Sequence, residues 1–318
     1  MSEKLLRELF DEFGVTQYHS NGFFGQDVKI LIIDTGLKRP SQGRTMVAFG
    51  EDINTHGLAV SCLISPPENE YGLVGIAPLA QVELADVRDP SSIPIDVVLE
   101  ALKRGIDENV DIISISLGTD DNYAPLQALI DEASAKGILV FAAAGNSGDR
   151  GYEFPAACFR AISVGSINKS RQPSPFNTRN DAVVVFAPGE RIMLPTGVQG
   201  ELEEYSGTSF ATPFAAGVAA LVLSKLRKEY AGKPIRLNRR EMVDTLRNES
   251  HFKLNCDIHT YVMDKTCTNY SGLVDHERDQ STVSVTPTLG IGMFAIAAVV
   301  SMLFGLVWTG SGSKSINK

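Results

Sequence analysis

The sequence holds no Cys-x-x-Cys pair; its four cysteines, Cys62, Cys158, Cys256 and Cys267, are scattered along 318 residues. That scatter excludes a zinc ribbon and a disulfide-framework domain. Cys256 and Cys267 would bridge only in an oxidising compartment, whereas Cys62 and Cys158 stand in apolar runs and read as buried thiols. Positive charge is also short. Twenty-nine Lys and Arg against 38 Asp and Glu give a formal net charge of −9, which offers no basic surface to a phosphate backbone, so no nucleic acid partner is expected. A Gly-rich phosphate loop is missing, which argues against a nucleotide-binding protein. The leading stretch, MSEKLLRELFDEFGV, is charged and amphipathic and has no apolar run of the signal-peptide kind.

What is present is ordinary globular material: 43% hydrophobic and 21% charged residues, enough chain for one large core. Short runs rich in Val and Ile at 28–33, 82–87, 112–116, 139–144, 162–166 and 183–187 predict strands, and 95–109 and 125–136 show helical spacing. Continuous apolar strands alternating with helices predict an α/β fold with a mainly parallel sheet covered on both faces. GTSFATPFAAGVAALVLSKL reads as a long helix buried at the centre, and LNRREMVDTLRNES as a last amphipathic helix. The expected organisation is a helical segment over 1–20, with its helix at 3–13, and an α/β domain over 21–250. An extension and stalk would follow over 251–287, then a transmembrane helix over 288–309 and a polar tail over 310–318. No internal repeat is apparent.

The membrane expectation rests on LGIGMFAIAAVVSMLFGLVW, residues 289–308, which carries no charge and ends at Trp308. Twenty apolar residues match the hydrocarbon thickness of a bilayer at the rise of an α-helix, so a single-pass carboxy-terminal anchor is expected. Ala297, Ser301 and Gly305 form a small-residue stripe on it that would permit self-association. Lys314 and Lys318 in the tail, against the acidic DHERD before the helix, favour a tail facing the cytoplasm. The absence of a signal-type leader favours the reverse, a tail anchor with the domain in the cytoplasm, and is given more weight than two lysines. The sequons at Asn248 and Asn269 would matter only if the domain were outside a glycosylating cell.

In an open parallel sheet, functional groups gather where strands end and helices begin. Four such places carry polar residues: Asp34 in ILIIDTGL, His56 in THGLAVSC, Asn146 in FAAAGNSG and Ser209 in SGTSFATP. Singly each has a plain reading: a metal ligand, ribose binder or cap for the Asp, a structural histidine, a turn Asn, and a helix-capping Ser. Together they compose one reaction. Ser209 would attack a carbonyl, His56 would take its proton, and Asp34 would orient the imidazole and stabilise its charged form. Asn146 and the backbone N–H of Ser209 would receive the developing oxyanion.

Over about residues 20–230 the sequence resembles the subtilisin-type serine proteases, the subtilases. IIDTG, AAGNSG and GTSFATP match that family's Asp, oxyanion and Ser motifs, in the family's order along the chain. The resemblance implies a three-layer subtilisin-like fold and a serine endopeptidase acting on peptide or protein substrates, with no required cofactor. It also implies that substrate lies extended between two edge segments, one near residues 87–91 and the other at Ser116, Leu117 and Gly118. Ala143, Ala144 and Gly145 would form the opposite wall of the first specificity pocket. Its base would fall at GYEFPA, where an inward-pointing Glu153 would favour a basic residue before the cut; the alternative is a solvent-facing Glu.

Residues 67–73 resemble a calcium loop of the family, with Asn69 at the ligand-like position, although the segment after Asp34 lacks the usual carboxylate. Any calcium would be structural. The Asp motif comes after about thirty residues, as in the intracellular branch of the family. The sequence departs from the family beside His56, at Leu58, Ala59, Ser61 and Cys62, which would alter the cleft next to the base. The rival reading is a subtilase fold without useful activity, serving as a membrane-tethered binding module.

Overall fold

A computed structural model of the chain describes residues 2–36, 55–66, 73–87, 93–149, 151–196, 201–230 and 235–248. The chain divides into two compact units, Met1–Leu273 and Val274–Lys318. The second unit, with the expected transmembrane helix, its small-residue stripe and the tail, lies outside the described residues, as do Cys256, Cys267, Asn69 and residues 88–91.

Six strands form the central sheet: β1 Lys29–Asp34, β2 Gln81–Asp86, β3 Ile112–Ile115, β4 Leu139–Ala143, β5 Ile162–Ile167 and β6 Val183–Pro188. Their order is β2-β1-β3-β4-β5-β6, and every neighbouring pair is parallel. The alternation of side chains along each strand divides the core in two. Ile30, Ile32, Ile112 and Phe141 face one hydrophobic cluster, while Leu31, Ile33, Ile113, Ile115 and Val140 face the other.

Helices cover both faces. On one side lie α4, Ile95–Asp107, and α5, Ala124–Ala135, which bury Leu102, Ile106, Leu126 and Ile130. On the other lie α3, Thr55–Ile64, and α6, Thr208–Glu229. From Phe210 to Ser224 every residue of α6 is buried. It is the helix among the described residues that is long and apolar enough to cross a membrane, yet it is a core helix here. Burial of each large apolar side chain of this kind contributes about 1.5–3 kcal/mol.

Two short helices precede the sheet, α1 Ser2–Glu12 and α2 Val15–Ser20. Leu6, Leu9, Phe10 and Phe13 join the α6-side cluster, and the rings of Phe10 and Phe13 meet Phe214 edge-on at 6.4 and 5.9 Å. The last described helix, α7 Arg239–Asn248, buries Met242, Val243 and Leu246.

The hairpin of β7, Ile192–Pro195, and β8, Leu202–Tyr205, was not expected from sequence. The first of its strands carries no clean alternation of burial and the second is exposed or half-buried throughout, so periodicity had little to register.

Candidate active site

All six strands run in one direction, so their carboxy-terminal ends share one edge of the sheet, and polar groups that follow them converge there. β1 ends on Asp34, which is fully buried. One carboxylate oxygen, Oδ1, accepts hydrogen bonds from the Thr35 N–H at 2.6 Å and the Thr35 hydroxyl at 3.2 Å. The same oxygen lies 2.8 Å from Nδ1 of His56. An ionised carboxylate only accepts, so Nδ1 carries the proton and Nε2 is left as the basic nitrogen. The other oxygen, Oδ2, is buried without a hydrogen-bond partner among the described residues.

The histidine reaches Asp34 because α3 begins directly on the end of β1. The Gly57 N–H donates to the Thr35 carbonyl at 2.9 Å, and a Cβ at Gly57 would collide with that carbonyl. Only glycine permits the approach. The imidazole is 32% exposed, against 0% for Asp34, and packs on the Phe210 ring at 5.3 Å. Burial works against the imidazolium, but the hydrogen bond and charge of Asp34 outweigh it and hold the His56 pKa above its ordinary value. Burial likewise pushes Asp34 upward, against the opposing pull of His56 and the Thr35 donors. The two groups titrate as a unit.

The expected change of cleft shape at Leu58, Ala59, Ser61 and Cys62 is not what the fold produces. These residues are 0–3% exposed. Leu58 and Ala59 lie inside α3's buried surface, and the Ser61 hydroxyl donates to the Gly57 carbonyl within the helix at 2.7 Å. Their apolar character belongs to packing behind His56. Burial pushes the thiols of Cys62 and Cys158 up to about 12, so neither is a thiolate nucleophile at neutral pH.

Ser209 is the second residue of α6 and is half-buried. Its hydroxyl donates to the Ser116 carbonyl at 3.4 Å, while the Ser116 hydroxyl donates to the Ser209 carbonyl at 2.7 Å. Asn146 stands in the turn after β4. Its side-chain carbonyl accepts the Thr208 N–H at 2.8 Å and the Thr208 hydroxyl at 3.0 Å, which leaves the amide N–H₂ as the outward-facing donor. The Thr208 hydroxyl in turn accepts the Gly145 N–H at 3.2 Å. Thr208 thus ties the Asn146 turn to the head of α6, where the Ser209 N–H and the positive end of the helix dipole favour negative charge.

Sequence reasoning missed the roles of Thr208 and Thr178. Thr208 lay in plain view inside the Gly-Thr-Ser run; Thr178 gave no local signal. Its N–H donates to the Gly145 carbonyl at 3.0 Å and its hydroxyl to Glu153 Oε1 at 3.2 Å. Ser116 and Ala144 are buried, Leu117 half-buried and Gly118 exposed. The segment at Gly118 is joined to Glu153's neighbour by paired backbone bonds between Thr119 and Phe154, 3.0 and 2.8 Å.

The edge therefore combines a buried carboxylate, an imidazole oriented by it, a hydroxyl at a helix start and a clamped amide donor. A model of the Subtilase family matches residues 25–276. The chain belongs to the subtilase family. Among the relatives of this subtilase, subtilisin E of Bacillus subtilis (strain 168) is 34% identical over 235 residues, 67% of this chain and 61% of that protein. The chain thus spans about three fifths of the length of that relative. An intracellular serine protease of Paenibacillus polymyxa is 38% identical over 219 residues, 62% of this chain and 67% of that protein. Among solved structures, the prenylagaramide maturation protease PagA superposes with a TM-score of 0.62 at 23% identity, over 73% of this chain and 87% of that one. At that identity the likeness is one of fold, and the fold is the mainly parallel α/β arrangement expected from sequence.

For calcium, no group of three or more His, Cys, Asp or Glu gathers among the described residues, and Asn69 lies outside them.

Proposed function

We propose that this subtilase is a serine endopeptidase whose triad is Asp34, His56 and Ser209, with Asn146 as the side-chain donor to the oxyanion. The observation that carries this reading is the 2.8 Å contact of His56 Nδ1 with the buried Asp34 carboxylate. It leaves Nε2 as the basic nitrogen, the tautomer that a general base for Ser209 would require.

The steps follow from the groups. Ser209 Oγ attacks the carbonyl carbon of a bound peptide, and its proton passes to His56 Nε2, while Asp34 stabilises the resulting imidazolium. The carbonyl oxygen, now an anion, accepts hydrogen bonds from the Asn146 amide and the Ser209 N–H. The tetrahedral species collapses as His56 returns the proton to the leaving amine. Water, deprotonated by the same histidine, then releases the acyl group and restores Ser209. Ser116 would hold the nucleophile's helix against the cleft wall, with Leu117, Gly118, Ala144 and Gly145 flanking the substrate. No step is assigned to a metal; a calcium ion at the Asn69 loop would serve stability.

Full-length protein should hydrolyse an unfolded protein substrate, and Ser209→Ala should abolish this while leaving the fold unchanged. A correctly folded wild type without hydrolysis would favour the membrane-tethered binding module instead. The same proposal places residues 289–308 in a membrane as a single-pass anchor, supported by their length and lack of charge. Carbonate-resistant membrane association, lost on deletion of 289–308, tests the anchor. Digestion of intact and opened cells tests sidedness, with protection only in intact cells expected for a cytoplasmic domain.

A further inference from the structure

Asp86 is a carboxylate at the reactive edge of the sheet to which the hydrolytic steps assign no task. It ends β2, the strand beside β1, and the register of these parallel strands sets it directly opposite Asp34. Two hydrogen bonds stitch the strands together at this end. The Val87 N–H donates to the Asp34 carbonyl at 3.1 Å, and the Gly36 N–H donates to Oδ1 of Asp86 at 3.0 Å. A parallel ladder would give the second donor a main-chain carbonyl. Here it meets a side chain instead, and hydrogen bonds to an ionised acceptor are the stronger kind.

The join between Asp34 and His56 hangs on that donor. Thr35 stands between Asp34 and Gly36, and its N–H and hydroxyl both donate to Asp34 Oδ1, the oxygen that holds His56 Nδ1. Its carbonyl accepts the Gly57 N–H, which seats the first turn of α3 and His56 with it. The Thr35 carbonyl and the Gly36 N–H belong to one peptide unit, which is planar and turns as a whole. One face of this rigid group therefore anchors α3, and the other is held by Asp86.

The unit lies tightly between β2 and α3. A Cβ on Gly36 would strike Leu84 Cδ2, and one on Gly57 would strike the Thr35 carbonyl. With glycine on both sides of the contact, no side chain of Gly36 or Gly57 sets the orientation of the peptide plane; its hydrogen bonds do.

We propose that Asp86 is a positioning residue for the Asp34–His56 pair, holding the Thr35–Gly36 peptide in the orientation that seats α3 against β1. This rests on the endopeptidase reading above. Asp86 acts through the peptide unit and takes no part in bond making. Without its acceptor the plane turns, the Gly57 bond weakens, and His56 sits less squarely on Asp34.

The test uses full-length protein in detergent, with kcat and KM for a peptide substrate followed across pH and a fluorophosphonate titration to count competent molecules. Asp86→Ala should lower the plateau kcat about tenfold while KM stays within about twofold. Its acid limb should also move to lower pH, because the Asp34 contact that raises the His56 pKa is loosened. Asp86→Asn keeps an oxygen acceptor in place and should recover most of kcat and the wild-type limb. In an Asp34→Asn background, Asp86→Ala should add little, because both act through one histidine. If the Ala variant does not fold, Asp86→Ser replaces it, since its hydroxyl ends short of the Gly36 N–H. A folded Ala or Ser variant with wild-type kcat and limb would overturn the proposal. So would equal losses in Asn and Ala, which would assign the effect to charge, or a loss of kcat with the limb unmoved. Wild-type protein that neither turns over peptide nor takes up the probe would overturn the endopeptidase reading itself, a result distinct from turnover indifferent to Asp86.

Discussion

Asp34 and Asp111 are both buried and stand at opposite ends of two neighbouring parallel strands, Asp34 closing β1 at its carboxy end and Asp111 immediately preceding β3 at its amino end. Asp111 has every need met. The Arg227 guanidinium forks onto it, with Nη2 2.6 Å from Oδ1 and Nη1 3.1 Å from Oδ2. The Lys29 N–H adds a third bond at 2.9 Å, and Arg236 stands 3.7 Å away. This pairing joins the end of α6 to the start of the sheet. Asp34 instead concentrates its bonds on one oxygen, leaves the other without a described partner, and faces a histidine that is charged only part of the time. A fixed cation serves architecture, whereas a titratable partner makes the same carboxylate useful in a reaction.

The contrast can be broken by substitution. Asp34→Asn should lower kcat by roughly 10⁴-fold, because the amide supports the wrong imidazole tautomer. Its urea midpoint should move little. Asn146→Ala should lower kcat by about 10²–10³-fold with little change in KM, as expected for a donor used mainly in the transition state. Asp111→Asn should do the opposite of both, lowering stability by about 3 kcal/mol in urea unfolding while kcat per competent molecule is kept.

Smaller effects sharpen the comparison. Thr208→Val should cost roughly tenfold in kcat by loosening Asn146. Its effect should shrink when combined with Asn146→Ala, because both act through one donor. The pH profile gives the last. His56 must be neutral to accept a proton, and its pKa is held above the ordinary 6.5. Activity should therefore fall as pH drops through a value above 6.5, and this limb should move to lower pH in Asp34→Asn, where the carboxylate that raised it is gone.

Much of this was legible in the sequence. Strands β1, β3 and β4 are short apolar runs because helices cover both faces of the sheet, so composition marks them within a residue or two. The motifs also singled out Asp34, His56, Asn146 and Ser209, the groups of the proposed mechanism. What could not be read was how they meet. The Asp34–His56 contact depends on Gly57 lying against the Thr35 carbonyl, a distance that no periodicity encodes. The bonds of Thr208 to Asn146 and of Thr178 to Glu153 join segments 62 and 25 residues apart. Leu58 and Ala59 misled because a departure from a motif says nothing of direction; the fold turns them into the core.

The most direct measurement is the site of a fluorophosphonate adduct on the folded, full-length protein, located by peptide mass spectrometry. A single adduct on Ser209 that disappears in Ser209→Ala, and forms far more slowly in Asp34→Asn, is the predicted result. Folded protein that takes up no adduct, or takes it up on another residue, would contradict the account.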